Sequence, residues 1–475
     1  MIYRSEKEHE LSIPNLPNML PVREQINDAV VFRITGSVAA VTGDVVELNG
    51  IAAPLGAICE ISTMSGRQVR GRVIGFRGVR PLLAPLDSLE SVAAGDCVVL
   101  LENHQSLPVG DSLCGRVVDA LGEPIDGVPL PLDIPRARAE QNAPLSLNRP
   151  PVDRPFQTGV RVIDGMLTCG CGQRLGIFAG SGVGKSTLLG MIAKVCKADR
   201  IVIGMVGERG REVKEFLESI LGAKGMERSV VVVATSDKPA AQRVSAAWTA
   251  TSIAESFRDQ GHHVLLLIDS VTRFATAQRE LGLAAGEPPT TRGYPPSVFQ
   301  SLPKLVERAG CSQKGMITAF YTVLVEGDDP HEPIADALRG LLDGHLVLSR
   351  DLAEEAIYPP VDVLQSISRL QPRLVSRDVL DAVTMIRRCL ADHRKNADLI
   401  SIGAYKTGSN HQIDEAIEMN NRFREYLSQD WMTETTLVEA QTSLKQLVDS
   451  SGCNNSAAEK LPTADDNGIN QVMSF

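Results

Sequence analysis

Residues 176–187 read G-I-F-A-G-S-G-V-G-K-S-T, with three glycines in five positions, then a lysine and two hydroxyls. Arg174 to Phe178 has the composition of a buried strand, and Lys185 to Lys197 carries a helical pattern. The glycines therefore sit at a strand-to-helix turn, which requires a sheet ending beneath them and a helix packed back on that sheet. In such a turn, backbone N–H groups can cradle phosphate oxygens only where side chains are absent. The positive end of the helix points at the same place. Lys185 can neutralise β and γ phosphates, and Ser186 can hold Mg²⁺. Ala179 stands where the usual pattern begins with glycine, and a methyl there need not face the phosphates. A glycine turn with a chance lysine is the bland alternative, and the strand-helix setting speaks against it. The loop is read as a nucleoside triphosphate site formed by Gly180, Ser181, Gly182, Val183, Gly184, Lys185, Ser186 and Thr187.

The same grammar continues beyond the loop. Ile201–Val206, Val230–Ala234, Val264–Ile268, Ile317–Leu324 and Leu346–Leu348 are short apolar runs that suit buried strands. Helical patterns separate them, including Arg211–Leu221 with Val213, Phe216, Leu217, Ile220 and Leu221 on one face. This alternation predicts a mostly parallel sheet wrapped in helices. From about Ser376 the strands stop and helices take over. Ahead of the loop, Val30 to Leu101 alternates β-rich runs with glycine turns, as a small antiparallel barrel does. Residues 130–155 are proline-dotted and read as a linker. The expected organisation is a flexible arm over 1–28, a barrel over 29–101, a connection over 102–155, an α/β domain over 156–375, a helical domain over 376–450 and a disordered tail over 451–475.

Composition narrows the partners. A net charge of -10 argues against a chain built to grip nucleic acid, and 4% aromatics is too few for a base-stacking platform. The charged amino terminus does not read as a signal peptide, and no apolar run reaches the eighteen residues of a membrane span. Nine cysteines, with no C-x-x-C, suggest reduced thiols and a cytoplasmic setting. Cys169 and Cys171, in T-C-G-C-G, have no histidine or second cysteine pair nearby, so no zinc site is expected there.

Two further stretches bear on hydrolysis. Val264–Ile268 ends in Asp269, as expected of an apolar strand delivering a carboxylate to a Mg²⁺ shell. V-G-E-R-G-R-E, residues 206–212, follows the strand Ile201–Val206 and should emerge at the same sheet edge as the glycine loop. Glu208 is the first carboxylate after that strand and can polarise an attacking water, with Arg209 beside it on the nucleotide. The alternative makes Glu208, Arg209, Arg211 and Glu212 merely a solvated loop and helix start.

The residues from about Val30 to Ala416 resemble the α/β-type rotary ATPase family, in its type III protein-secretion and flagellar-export branch. The resemblance is carried by A-G-S-G-V-G-K-S (179–186), G-E-R-G-R-E (207–212), L-I-D-S-V-T-R-F-A (267–275), G-E-P-P-T-T-R-G-Y-P-P-S-V-F (286–299) and D-G-H-L-V-L-S-R (343–350). P-P-V-D-V-L-Q-S-I-S (359–368) matches the pattern that marks the family as a whole.

The resemblance implies a RecA-like central domain, a barrel that serves oligomerisation, and ATP with Mg²⁺ as ligands. It casts Lys185 as the phosphate-loop lysine, Ser186 and Asp269 as metal-side groups, and Glu208 as the catalytic glutamate. Tyr358 takes the place of the aromatic that packs on adenine, unless it is a core tyrosine beside two prolines. Arg369, in S-I-S-R, resembles the arginine that reaches into a neighbouring subunit's site, with Arg350 as the alternative. One chain carrying both a full loop-glutamate set and such an arginine implies a homo-oligomeric ring, most simply a hexamer.

Implied partners are the stalk and regulator proteins of an export apparatus and chaperone–substrate complexes, with peripheral attachment at the inner-membrane face. L-T-C-G (167–170) and V-A-T-S-D (233–237) resemble injectisome members more than flagellar ones. An ATP synthase catalytic subunit fits less well, because I-S-I-G-A-Y-K-T-G-S-N-H-Q-I-D-E-A-I (400–417) replaces the acidic coupling run. An RNA-translocating ring helicase is disfavoured by acidity and scarce aromatics. A non-hydrolysing nucleotide-bound subunit is disfavoured by the presence of Glu208.

Overall fold

The computed structural model describes residues 33–325 and 332–449. The arm expected over 1–28 and the tail expected over 451–475 lie outside them. The chain forms two compact units. The first runs to Asn103 and includes Leu130–Pro135; the second takes His104–Pro129 and everything from Arg136 onward.

The first unit is a closed barrel in the order β1-β2-β5-β4-β3-β6. Its strands are β1 (Thr35–Thr42), β2 (Val45–Asn49), β3 (Ile58–Ser62), β4 (Gln68–Arg77), β5 (Arg80–Pro85) and β6 (Cys97–Glu102), all paired antiparallel. In β4, Val69 and Val73 are buried while Gln68, Arg70 and Arg72 are not, the period-2 alternation of a strand with one face on a core. Val46, Leu48, Ile61, Leu83 and Val98 meet them inside.

The second unit is built on a sheet in the order β17-β16-β10-β15-β13-β11-β12-β8. The expected strands appear as β10 (Arg174–Ala179), β11 (Arg200–Val206), β12 (Ser229–Ala234), β13 (His263–Asp269), β15 (Met316–Leu324) and β16 (Gly344–Val347). All of these pair in parallel, and β12, Ser-Val-Val-Val-Val-Ala, is buried along its whole length. Burial on both faces explains why these strands read as continuous apolar runs. The edge strand β17 (Ile367–Ser368) and the two-residue β14 (Gly310–Cys311) are antiparallel additions.

Three features differ from the sequence expectation. The segment 102–155 is no free linker. Its strand β8 (Val117–Asp119) pairs in parallel with β12, and β7 (Ser106–Pro108) pairs with β9 (Arg136–Arg138). Farther along, Arg308, buried and ion-paired with Glu255, donates to the Ala139 carbonyl at 2.9 Å, so the proline-rich stretch is laced to the sheet unit.

The helix after the glycine loop ends at Val195, not Lys197. The Arg228 guanidinium donates to the Ala193, Lys194, Cys196 and Ala198 carbonyls at 2.9–3.1 Å, capping that end with positive charge. The helix expected over Arg211–Leu221 is α-helical over Gly210–Glu215 and widens to a π-helical turn over Phe216–Leu221, with Val213, Phe216 and Leu221 still buried.

After Ser376 the described chain is helical: Arg377–Ser401, His411–Leu427 and Leu437–Asp449. Ile386, Met419, Phe423 and Leu444 share one continuous core with Val160, Ile163 and Leu188 of the α/β part. No helix among the described residues is long and apolar enough to cross a membrane.

Candidate functional site

The glycine loop leaves the carboxyl end of β10 and enters the helix Lys185–Val195. Gly182 and Gly184 have φ of +80° and +92°, a left-handed backbone that side chains disfavour. A Cβ on Gly182 would meet nothing within 4 Å, so the conformation rather than crowding demands glycine there. Val183 points its side chain into the core and can offer a ligand only its backbone.

Gly180, Ser181, Lys185, Ser186 and Thr187 line a cavity of about 780 Å³ from the loop side. Glu208, Arg209 and Glu212 line it from beyond β11, and Thr272, Arg273 and Arg350 close it. The carboxyl ends of β10, β11, β13 and β16 thus converge on one cavity, as the sheet rule requires.

Glu208 and Asp269 are both buried, and the Lys185 ammonium lies between them. It pairs with Asp269 and stands 3.5 Å from Glu208 Oε1. Asp269 also accepts from the Thr322 hydroxyl at 2.7 Å. Arg273 Nε donates to Glu208 Oε1 at 3.3 Å. Burial, more than anything else, raises the Glu208 carboxyl above its ordinary value, and the Asp269 charge and the Glu212 carboxyl add to it; Lys185 and Arg273 pull the other way.

The solvated-loop alternative fits Arg209 and Arg211, which are exposed, but not Glu208. Arg209 stands at the rim, 3.4 Å from Glu212 Oε1. Neither Arg273 nor Thr322 was assigned a role from sequence. Arg273 sits one helical turn beyond Asp269 inside a quoted motif, and that spacing was the available signal.

Ser186, in the first helical turn, and Asp269 are hard oxygen donors beside the phosphate loop. Among the described residues no cluster of three or more His, Cys, Asp or Glu could hold a metal by itself. That donor set fits Mg²⁺, which takes one or two protein oxygens and fills its shell from phosphates and water.

A second cavity, of about 450 Å³, shares Gly184 and Thr187 with the first. Tyr358 lies over Gly184: a Cβ built there would be 3.7 Å from two ring carbons. Tyr358 is 46% exposed, which does not fit a core tyrosine. Leu188, Met191, Pro360 and Trp431 complete the walls. The sequence reading missed Trp431, which the turn after the helix His411–Leu427 brings across more than seventy positions. Lys194 Nζ lies 4.4 Å from the centre of its indole.

The two arginine candidates separate. Arg350 follows β16 at the carboxyl ends of the strands and lines the phosphate cavity of its own chain. Arg369 follows β17, whose Ser368 pairs with Gly344 at the start of β16. Its backbone donates to Asp343 and its guanidinium to the Arg339 carbonyl at 3.0 Å. That is the opposite sheet edge, about 17 Å from the loop at the rise of five residues of parallel strand.

The family model "ATP synthase alpha/beta family, nucleotide-binding domain" matches residues 159–368, and "T3SS EscN ATPase C-terminal domain" matches 375–446. The flagellum-specific ATP synthase of Bacillus subtilis is 50% identical over 88% of this chain and 95% of its own length. The type 3 secretion system ATPase of Xanthomonas euvesicatoria is 47% identical over 86% and 92%. Among solved structures, the assembled ATPase EscN of the enteropathogenic E. coli type III secretion system superposes with a TM-score of 0.82 at 42% identity, covering 87% of this chain and all of that one. The same ATPase in complex with its central stalk EscO gives 0.79.

Proposed function

The chain belongs to the ATP synthase α/β family, in its type III secretion and flagellar-export branch, and from that premise we propose that it is the ATP-hydrolysing motor of a type III protein-export apparatus. The observation that carries the reading is the pair of neighbouring cavities that share Gly184 and Thr187, one walled by Tyr358 and the other holding a buried Glu208 opposite Lys185 and Asp269.

The base of ATP would lie against Tyr358 and the phosphates along the Gly180–Lys185 N–H groups. Phosphate oxygens would compete with the two carboxylates for the Lys185 ammonium, freeing Glu208 to act as a base. Ser186 and Asp269 would hold Mg²⁺, which would supply charge neutralisation at the phosphates. Glu208 would draw a proton from water as its oxygen attacks the γ phosphorus and the bond to the β–γ bridging oxygen breaks, giving ADP and phosphate.

Arg369 would complete the site of a neighbour, which makes a ring, most simply a homohexamer, the working unit. An arginine finger contributes ~10³–10⁵ in rate, roughly 4–7 kcal/mol of barrier. Specific ATPase activity should therefore rise with protein concentration until rings saturate. Concentration-independent turnover by a species that sediments as a monomer would rule the shared site out.

By analogy with EscN and its stalk, a stalk protein is the proposed axial partner, with regulators and chaperone–substrate complexes as the other contacts. The proposed place is cytoplasmic, at the inner-membrane face through the apparatus, and the proposed work is chaperone release, unfolding and export. Relatives carry both flagellar and type 3 secretion system names. The injectisome reading rests on L-T-C-G and V-A-T-S-D, and pull-down against cognate injectisome and flagellar stalk proteins separates the two. Turnover stimulated by RNA instead of by stalk protein would favour the helicase reading.

The raised Glu208 carboxyl has a pH consequence. A base must be ionised, so kcat/KM should fall as pH drops through the free-enzyme Glu208 value, on a limb above the ordinary carboxylate range. Arg273 holds that value down, so Arg273→Gln should move the limb to higher pH. A limb that stays in place or moves down would exclude Glu208 as the titrating group.

A further inference from the structure

We propose that Gln429 is a positioning residue for the nucleotide base: its side chain seats the turn after the His411–Leu427 helix, whose backbone in turn holds the Tyr358 wall, and thereby sets how tightly the base is held, without reading it. The proposal rests on the base-pocket reading above.

Gln429 is buried, and its polar groups are engaged on every side. Its backbone N–H donates to the Tyr358 carbonyl at 2.8 Å. Its side-chain Oε1 accepts from the Arg161 N–H at 2.7 Å, while Nε2 donates to the Gly159 carbonyl at 2.9 Å and the Thr433 carbonyl at 2.8 Å. Both amide hydrogens are thus committed to main-chain carbonyls, so the side chain has no donor left for a base edge.

The partners belong to three different places. Tyr358 is the exposed wall, Gly159 and Arg161 flank the start of the helix Arg161–Met166, and Thr433 lies two residues past Trp431, which lines the facing wall. Arg161 reinforces the tie by donating from its guanidinium to the Ser428 carbonyl at 2.6 Å. The side-chain amide therefore fixes the turn that carries Trp431 against the chain at the start of the helix Arg161–Met166, while the main-chain N–H of the same residue holds the Tyr358 carbonyl. A buried amide that satisfies main-chain groups costs most when one partner is removed and the others stay.

Glutamate has the same shape but places oxygen against the Gly159 and Thr433 carbonyls, losing both donors. The test compares the full chain with Gln429→Glu and Gln429→Ala. It measures kcat and KM for ATP, the inhibition constant of tripolyphosphate (a competitor with no base), and melting temperature. The expected result is a KM at least tenfold higher with kcat within threefold, and a tripolyphosphate constant within twofold of the parent. An unchanged KM overturns the proposal. So do KM and the tripolyphosphate constant rising together, or a Gln429→Glu chain that does not fold, because each makes the residue a general support. Should the parent show no turnover, the ATPase reading fails, and the proposal is decided by ADP against pyrophosphate binding, read from Trp431 fluorescence in a Trp248→Phe background.

Discussion

Arg369→Ala chains are expected to bind ATP like the parent and still to assemble, yet to turn over at least a hundredfold more slowly. Within its own chain Arg369 sits at the amino edge of the sheet, beside Asp343, while the phosphate loop opens at the carboxyl edge. Only a neighbour could receive it. Lys185→Ala chains should be inactive for the complementary reason, having lost the fixed ammonium at the phosphates. Mixed together, the two dead variants should regain activity, because some interfaces then pair an intact loop from one chain with an intact arginine from the next. An arginine acting inside its own chain cannot be rescued this way, so a mixture as inactive as its components sinks the shared-site model.

Glu208→Gln should keep nucleotide binding while slowing turnover by ~10²–10⁴, the usual contribution of a positioned general base. The amide preserves the shape between Lys185 and Arg273 but has no basic oxygen to take the proton. Glu212→Gln is the comparison: Glu212 lines the same cavity and its carboxyl meets Glu208, but its ion pair is with Arg209 at the rim, whereas Glu208 faces Lys185. If Glu212→Gln is the dead variant and Glu208→Gln turns over, the assignment of the carboxylate is wrong.

What could be read in the sequence was whatever has local grammar. β10 to β16 announced themselves because strands buried on both faces have no polar alternation to disguise them. Gly182 and Gly184 stood out because a left-handed backbone admits few residues. Glu208 and Asp269 followed from where their strands end. The illegible parts depend on partners distant in sequence. Val117–Asp119 is three residues with polar neighbours, a strand only because β12 offers an edge. The wall opposite Tyr358 comes from a turn seventy positions away, and a helical pattern gives no sign of where the turn between two helices will land. Arg228 caps the loop helix from another element and carries no mark of that role.

β8 also decides where this chain can be divided. Its neighbour β12 is a run of Ser-Val-Val-Val-Val-Ala with no charge and no proline, fully buried with β8 in place. Unpaired, such an edge is a template for strands of other molecules, and gatekeeping charges are absent from it. A barrel-less chain that starts at His104 carries its own cover for that edge. One that starts at Arg136 leaves the edge bare and invites aggregation, although every residue of the phosphate and base cavities remains. The short segment before the proline-rich stretch thus covers an aggregation-prone edge as well as linking the sheet unit to the barrel along the chain.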